Sequence, residues 1–145
     1  MEEITIILDK SELEGTCYIE IVTGKYQGKH WQEGSLFFEE EIFGLIEPIF
    51  KKYVSGYDHY DMNDASKLEW SNIISRLKEL NELLESSNRF EDALGNVGFI
   101  FVGTRDYFQT HYNSCKSELV AMNKQLINWA SEVLSNNEHI AILGI

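Results

Sequence analysis

Apolar residues recur with two different periods along the chain, and the change of period separates its elements. Residues 4–8 and 17–23 are rich in Ile, Val, Thr and Tyr, and in the second stretch Cys17, Ile19 and Ile21 alternate with Tyr18, Glu20 and Val22. A period of two puts one set on a buried face and the other on a partly wet one. With the polar, glycine-ended connection Asp9–Gly15 between them, the two stretches predict a pair of antiparallel strands. Residues 24–34 have no clear period and include Gly24, Gly28, Gly34, His30 and Trp31, which predicts a loop.

Steps of three and four residues then take over. Ser35 is the expected N-cap of a helix whose stripe is Phe38, Ile42, Leu45, Ile46, Ile49, Phe50 and Tyr53. Pro48 lacks an amide donor and clashes with the preceding turn, so this helix should kink or divide near Glu47 before ending at Ser55-Gly56. Tyr57 to Asp64 is rich in tyrosine and aspartate without a stripe and predicts an exposed loop. Ser66 and Glu69 have capping-box spacing and open a helix marked by Trp70, Ile73, Ile74, Leu77, Leu80 and Leu84.

Ser86-Ser87-Asn88 interrupts that helix, and Phe90 to Leu94 predicts a short helical turn before Gly95. The apolar run Val97 to Val102 is assigned to a short buried strand, although at that length periodicity leaves a helix connection open. A long helix is expected over Asp106 to Leu134, with Phe108, Cys115, Leu119, Met122, Leu126, Trp129 and Val133 on one face. His139 to Ile145 closes the pattern as a strand that pairs with the N-terminal hairpin. The expectation is an α+β fold in a single domain, 1–145: a small antiparallel sheet, N-terminal hairpin plus C-terminal strand, packed against about three main helices.

Composition narrows the function classes. A hydrophobic fraction of 43% with 12% aromatic residues supports one core and excludes a disordered chain. The net charge of -12 repels phosphate backbones, which argues against nucleic-acid binding and for a cationic partner. Residues 1–64 hold 14 acidic and 5 basic residues, so three quarters of that excess lies in the first half. No apolar run reaches the 18 or so residues that a bilayer span needs. The N-terminal stretch lacks the basic and apolar regions of a signal peptide, and the two cysteines, Cys17 and Cys115, form no disulfide framework. A cytoplasmic protein is expected.

Candidate chemistry is sparse. His111 and Cys115 sit at i and i+4, but a zinc site needs more ligands and no second close pair exists, so no metal and no cofactor are expected. The glycines do not follow phosphate-cradling spacings. Asp58-His59-Tyr60-Asp61 gathers titratable groups in one loop, a pattern that suits a recognition loop better than an active site. Two acidic clusters stand out: Glu39-Glu40-Glu41, which also favours a helix start, and Asp58, Asp61 and Asp64 interleaved with Tyr57 and Tyr60. Carboxylates among aromatic side chains make a surface suited to docking a basic protein, with no catalytic residue required.

Two resemblances attach to these residues. Arg105-Asp106-Tyr107-Phe108-Gln109-Thr110-His111 resembles the Arg-to-His motif of the HEPN ribonucleases, which would imply Arg105 and His111 as a catalytic pair on an all-helical fold. The N-terminal hairpin, Gly28-Lys29-His30-Trp31-Gln32-Glu33-Gly34, the Tyr57-Asp58-His59-Tyr60 loop and the Trp70-Ser71-Asn72-Ile73-Ile74 helix together resemble the small immunity proteins of bacterial contact-dependent growth inhibition and related polymorphic toxin systems. That resemblance implies a stoichiometric inhibitor without catalytic residues, which binds a cognate basic toxin domain and covers its active site. A general acidic interaction adaptor is the remaining class, distinguished by weaker binding.

Overall fold

The sheet has four strands: β1 (Tyr18–Thr23), β2 (Leu36–Glu39), β3 (Met62–Ser66) and β4 (His139–Leu143). Their order is β2-β1-β4-β3, and every pairing is antiparallel. The computed structural model describes residue 1 and residues 3–145. Among the described residues, five α-helices accompany the sheet: α1 (Glu40–Gly44), α2 (Glu47–Tyr53), α3 (Lys67–Ser86), α4 (Val102–Thr110) and α5 (Tyr112–Leu134). The fold is α+β, as the pattern predicts, with the sheet packed against the helices. Among the described residues, no helix is long and apolar enough to cross a membrane.

Alternation sorts the sheet into two faces. Ile19, Ile21, Leu36, Phe38, Ala65, Ile140 and Ile142 enter the main core with the helices. Phe38, Phe43, Phe50 and Trp70 run through that core with successive ring centroids 4.9–5.4 Å apart. The Trp70 indole donates to the carbonyl of Ile140 at 3.1 Å, tying α3 to β4 while satisfying a buried N–H. The opposite face carries Val22, Ala141 and Leu143, with Tyr26 and Met62 packed on them.

Loop 24–34 is held to the sheet by a carboxylate. Glu20 is fully buried on β1 and accepts from the amides of Trp31 (2.8 Å) and Gln32 (3.0 Å) and from the Ser35 hydroxyl (2.7 Å). Trp31 has φ of 57°, a left-handed conformation costly for a bulky side chain. The hydrogen bond to Glu20 and ring contacts with Tyr18 and Phe37 hold it there.

Several sequence expectations change. Residues 4–8 form no strand: Ile7 alone bridges Phe37, exchanging both backbone hydrogen bonds at the free edge of β2. The partner of β1 in the hairpin is therefore β2, residues 36–39, and Ser35 is no N-cap. Leu36, Phe37 and Phe38 are buried on both faces of the sheet, so the alternation that would mark a strand is missing. Pro48 does divide the helical stripe, separating α1 from α2. The segment Tyr57–Asp64 is expected as an exposed loop, but its end, Met62–Asp64, runs into the edge strand β3, Met62–Ser66. Its Asn and Asp residues disfavour strand on propensity, and pairing with β4 overrides them.

The capping box at Ser66 and Glu69 forms as expected and starts α3. Phe90–Asp92 makes the short helical turn. Residues 97–101 are not a strand, and the helix expected from Asp106 starts at Val102 and divides at His111. The C-terminal strand forms, between β1 and β3.

Candidate functional site

Glu40 opens α1, Glu47 opens α2, and the chain returns through Tyr57 and His59 to place an imidazole between them. His59 Nδ1 lies 2.5 Å from Glu47 Oε2, and Nε2 lies 2.9 Å from Glu40 Oε1. A ring with both nitrogens against carboxylate oxygens needs a proton on each, so this geometry fits the imidazolium. Burial opposes that charge most strongly, but the hydrogen bonds and charges of Glu47 and Glu40 together outweigh it and raise the His59 pKa above its ordinary 6.5. Glu47 is only 3% exposed and also accepts from the Tyr57 hydroxyl at 2.7 Å, with Lys51 Nζ 3.7 Å from its other oxygen. Burial, followed by this bond to Glu47, raises the Tyr57 pKa and keeps it a donor.

The loop that carries His59 is fixed from beneath. Asn63 donates to the carbonyls of Asp58, Asp61 and Ile142 and accepts from the Asp58 amide. The amides of Gly144 and Ile145 donate to the carbonyls of Asp61 and His59. A side chain at Gly144 would collide with the His59 carbonyl oxygen, so glycine is required for this close approach. Asp58 and Asp61 each use one oxygen on a loop amide, of Tyr60 and Met62 respectively. Both are exposed, with the second oxygen free of any hydrogen bond or ion pair to the described residues. Tyr60 stands between them, its ring 4.8 Å edge-on from His59.

A cleft of about 420 Å³ opens beside this cluster, lined by Glu40, Glu47, Lys51, His59 and Tyr60 on one side and by Gly98, Phe99 and Ile100 on the other. A second depression beyond Phe99 and Ile100 is lined by Leu94, Phe101, Val102 and Arg105. Phe99 and Ile100 line both depressions, and with Phe101 and Val102 they form a ridge beside them.

The predicted site residues fall into separate places. The Glu39-Glu40-Glu41 triplet is not one surface. Glu39 ends β2 exposed, Glu40 holds His59, and Glu41 accepts from the Thr104 hydroxyl at 2.8 Å and lies 3.8 Å from the terminal amine of Met1. Asp64 stands apart on β3, accepting from the Tyr26 amide at 2.8 Å. Tyr57, Asp58, His59, Tyr60 and Asp61 do come together with Glu40. Sequence reasoning missed Glu47, which hid beside Pro48 within an apolar stripe. It also missed the ridge, because an apolar run was read as buried.

The enzyme and metal candidates lie on α4, its end at His111 and the start of α5. Arg105 lines the depression beyond the ridge, whereas His111 lines another with Asn88, Arg89 and Asn113. Cys115 is buried, which together with Glu118 pushes its thiol to about 11, while His111 is exposed and stacks on Tyr107. Among the described residues, no group of three or more His, Cys, Asp and Glu is placed to hold a metal ion. The chain matches no family model, no curated protein and no solved structure.

Proposed function

We propose that the chain is an immunity protein of the contact-dependent growth inhibition or polymorphic toxin type. It binds a cognate basic toxin domain, a nuclease, in the cytoplasm and neutralises it stoichiometrically through its acidic surface. The observation that carries this reading is the rigid loop that presents Asp58, Tyr60 and Asp61 beside the Glu40–His59–Glu47 cleft. Fixed carboxylates steer a cationic partner and an exposed tyrosine supplies an anchor at little entropic cost. A cleft built for phosphate presents cations, and an acidic surface can occupy it. Arg105 and His111 line different depressions, which leaves the ribonuclease reading without a shared pocket.

The test is rescue. Cytotoxic nuclease domains encoded in the source genome are expressed singly in cells with or without this chain. Restored growth with one such domain, together with a one-to-one complex of the two purified proteins, is the expected result. Failure to rescue any of them would overturn the reading.

A further inference from the structure

The ridge at residues 100–102 is apolar and exposed in a chain that is otherwise strongly acidic: Ile100 is 39% exposed, Phe101 48% and Val102 76%. Leu94 and Tyr60, also exposed, stand at its two sides. Scattered apolar side chains on a surface need no explanation, but consecutive ones beside two depressions mark an interaction face.

The backbone that carries them is held by close packing just before the ridge. Gly98 lies so close to the α1–α2 corner that a side chain there would meet the Gly44 carbonyl oxygen and the Pro48 ring. Its amide donates to the Leu45 carbonyl at 3.0 Å. Gly44 in turn leaves room for Ile100, whose Cδ1 would lie 2.6 Å from any Cβ at that position. The backbone is thus pinned at residue 98, and α4 starts at Val102 with Phe101 as its N-cap. The face is therefore preorganised, which lowers the ordering cost of binding.

Charge selects the occupant. A second copy would bring another net charge of -12 against the first, so self-association works against the field of the molecule. On the cleft side, Glu40 shares the cleft lining with Tyr60, and the fixed carboxylates of Asp58 and Asp61 belong to the same loop as Tyr60, with Lys51 drawn toward Glu47. On the far side Arg105 lines the depression. We propose that the ridge is the anchor of the inhibitor's interface and that it seats an amphipathic basic segment of the partner. Apolar side chains of that segment rest on Ile100, Phe101 and Val102, and its Lys or Arg residues point to the cleft side. This rests on the inhibitor reading and names the surface that reading uses.

The probe is a synthetic amphipathic helix of Leu and Lys, about four turns long, titrated into the isotope-labelled full chain and followed by amide chemical shifts. The expected result is saturable shifts at Tyr60 and at residues 99–102. Binding should weaken at least about tenfold in Phe101→Ser/Val102→Ser, a change confined to exposed side chains, with the melting curve unchanged. A peptide with Glu in place of Lys should bind at least about tenfold more weakly. Shifts centred elsewhere, as on the Trp31 loop, would overturn the ridge proposal while leaving toxin rescue intact as a separate result. Equal binding of the Glu peptide, absence of binding, or concentration-dependent shifts at 99–102 without any peptide would also overturn it.

Discussion

His59 Nδ1 and Glu47 Oε2 lie 2.5 Å apart, a contact that joins the acidic loop to the start of α2 through a proton. Glu40 grips the other side of the same ring. The His59 pKa is raised in the fold, so the stability this contact adds is complete below the ordinary value of 6.5 and is lost as pH rises through the folded value. Urea midpoints measured between about pH 6 and pH 8 should fall with rising pH in the parent. The slope should flatten in His59→Gln, and an unchanged slope would refute the clamp.

Glu20 makes a second prediction. Its carboxylate is fully buried and accepts three hydrogen bonds that hold loop 24–34 on the sheet. Glu20→Ala strands those donors and removes the restraint on Trp31, at a cost of at least about 2 kcal/mol. The check is a denaturation curve beside hydrogen exchange at the Trp31 and Gln32 amides, which should lose protection. Retained protection would mean the loop is held by its aromatic contacts alone.

The strands of the sheet were unequally legible. Strand β1 and the capping box at Ser66 and Glu69 showed themselves through local rules, a period of two and a fixed spacing. Strand β2 did not, because Leu36, Phe37 and Phe38 bury both faces and Phe38 also fits a helical stripe with Ile42. The acidic loop was legible as a cluster, but the partner of its histidine was not. Glu47 reaches His59 only through the division of the helix at Pro48 and the return of the chain. The ridge was misread for a related reason. Burial of Phe99, Ile100 and Phe101 follows from their apolarity alone, whereas in the fold Gly98 packs tightly on the α1–α2 corner and Ile100 and Phe101 are exposed.

Gly144 supplies a steric test of the loop's rigidity. A Cβ there would overlap the His59 carbonyl oxygen and crowd that of Asp61. Gly144→Ala should cost about 2 kcal/mol and weaken binding of any partner that uses the loop. A neutral effect in thermal melts would show that the C-terminus yields without loss.

β4 lies between β1 and β3, so removal of residues 140–145 unpairs both neighbours and strips Ile140 and Ile142 from the core. The truncated chain should lose its cooperative thermal transition. Melting at the parent temperature would contradict the sheet order.

The central claim is that the fixed acidic loop guides a basic partner into place. Its most direct test is the association rate of the chain with the toxin domain it rescues, measured at two salt concentrations for the parent and for Asp58→Asn/Asp61→Asn. Asparagine keeps the acceptor that each residue offers its loop amide, so the fold should hold within about half a kcal/mol. The account predicts slower association and a flatter salt dependence in the variant. An unaltered rate and an unaltered salt dependence would contradict it.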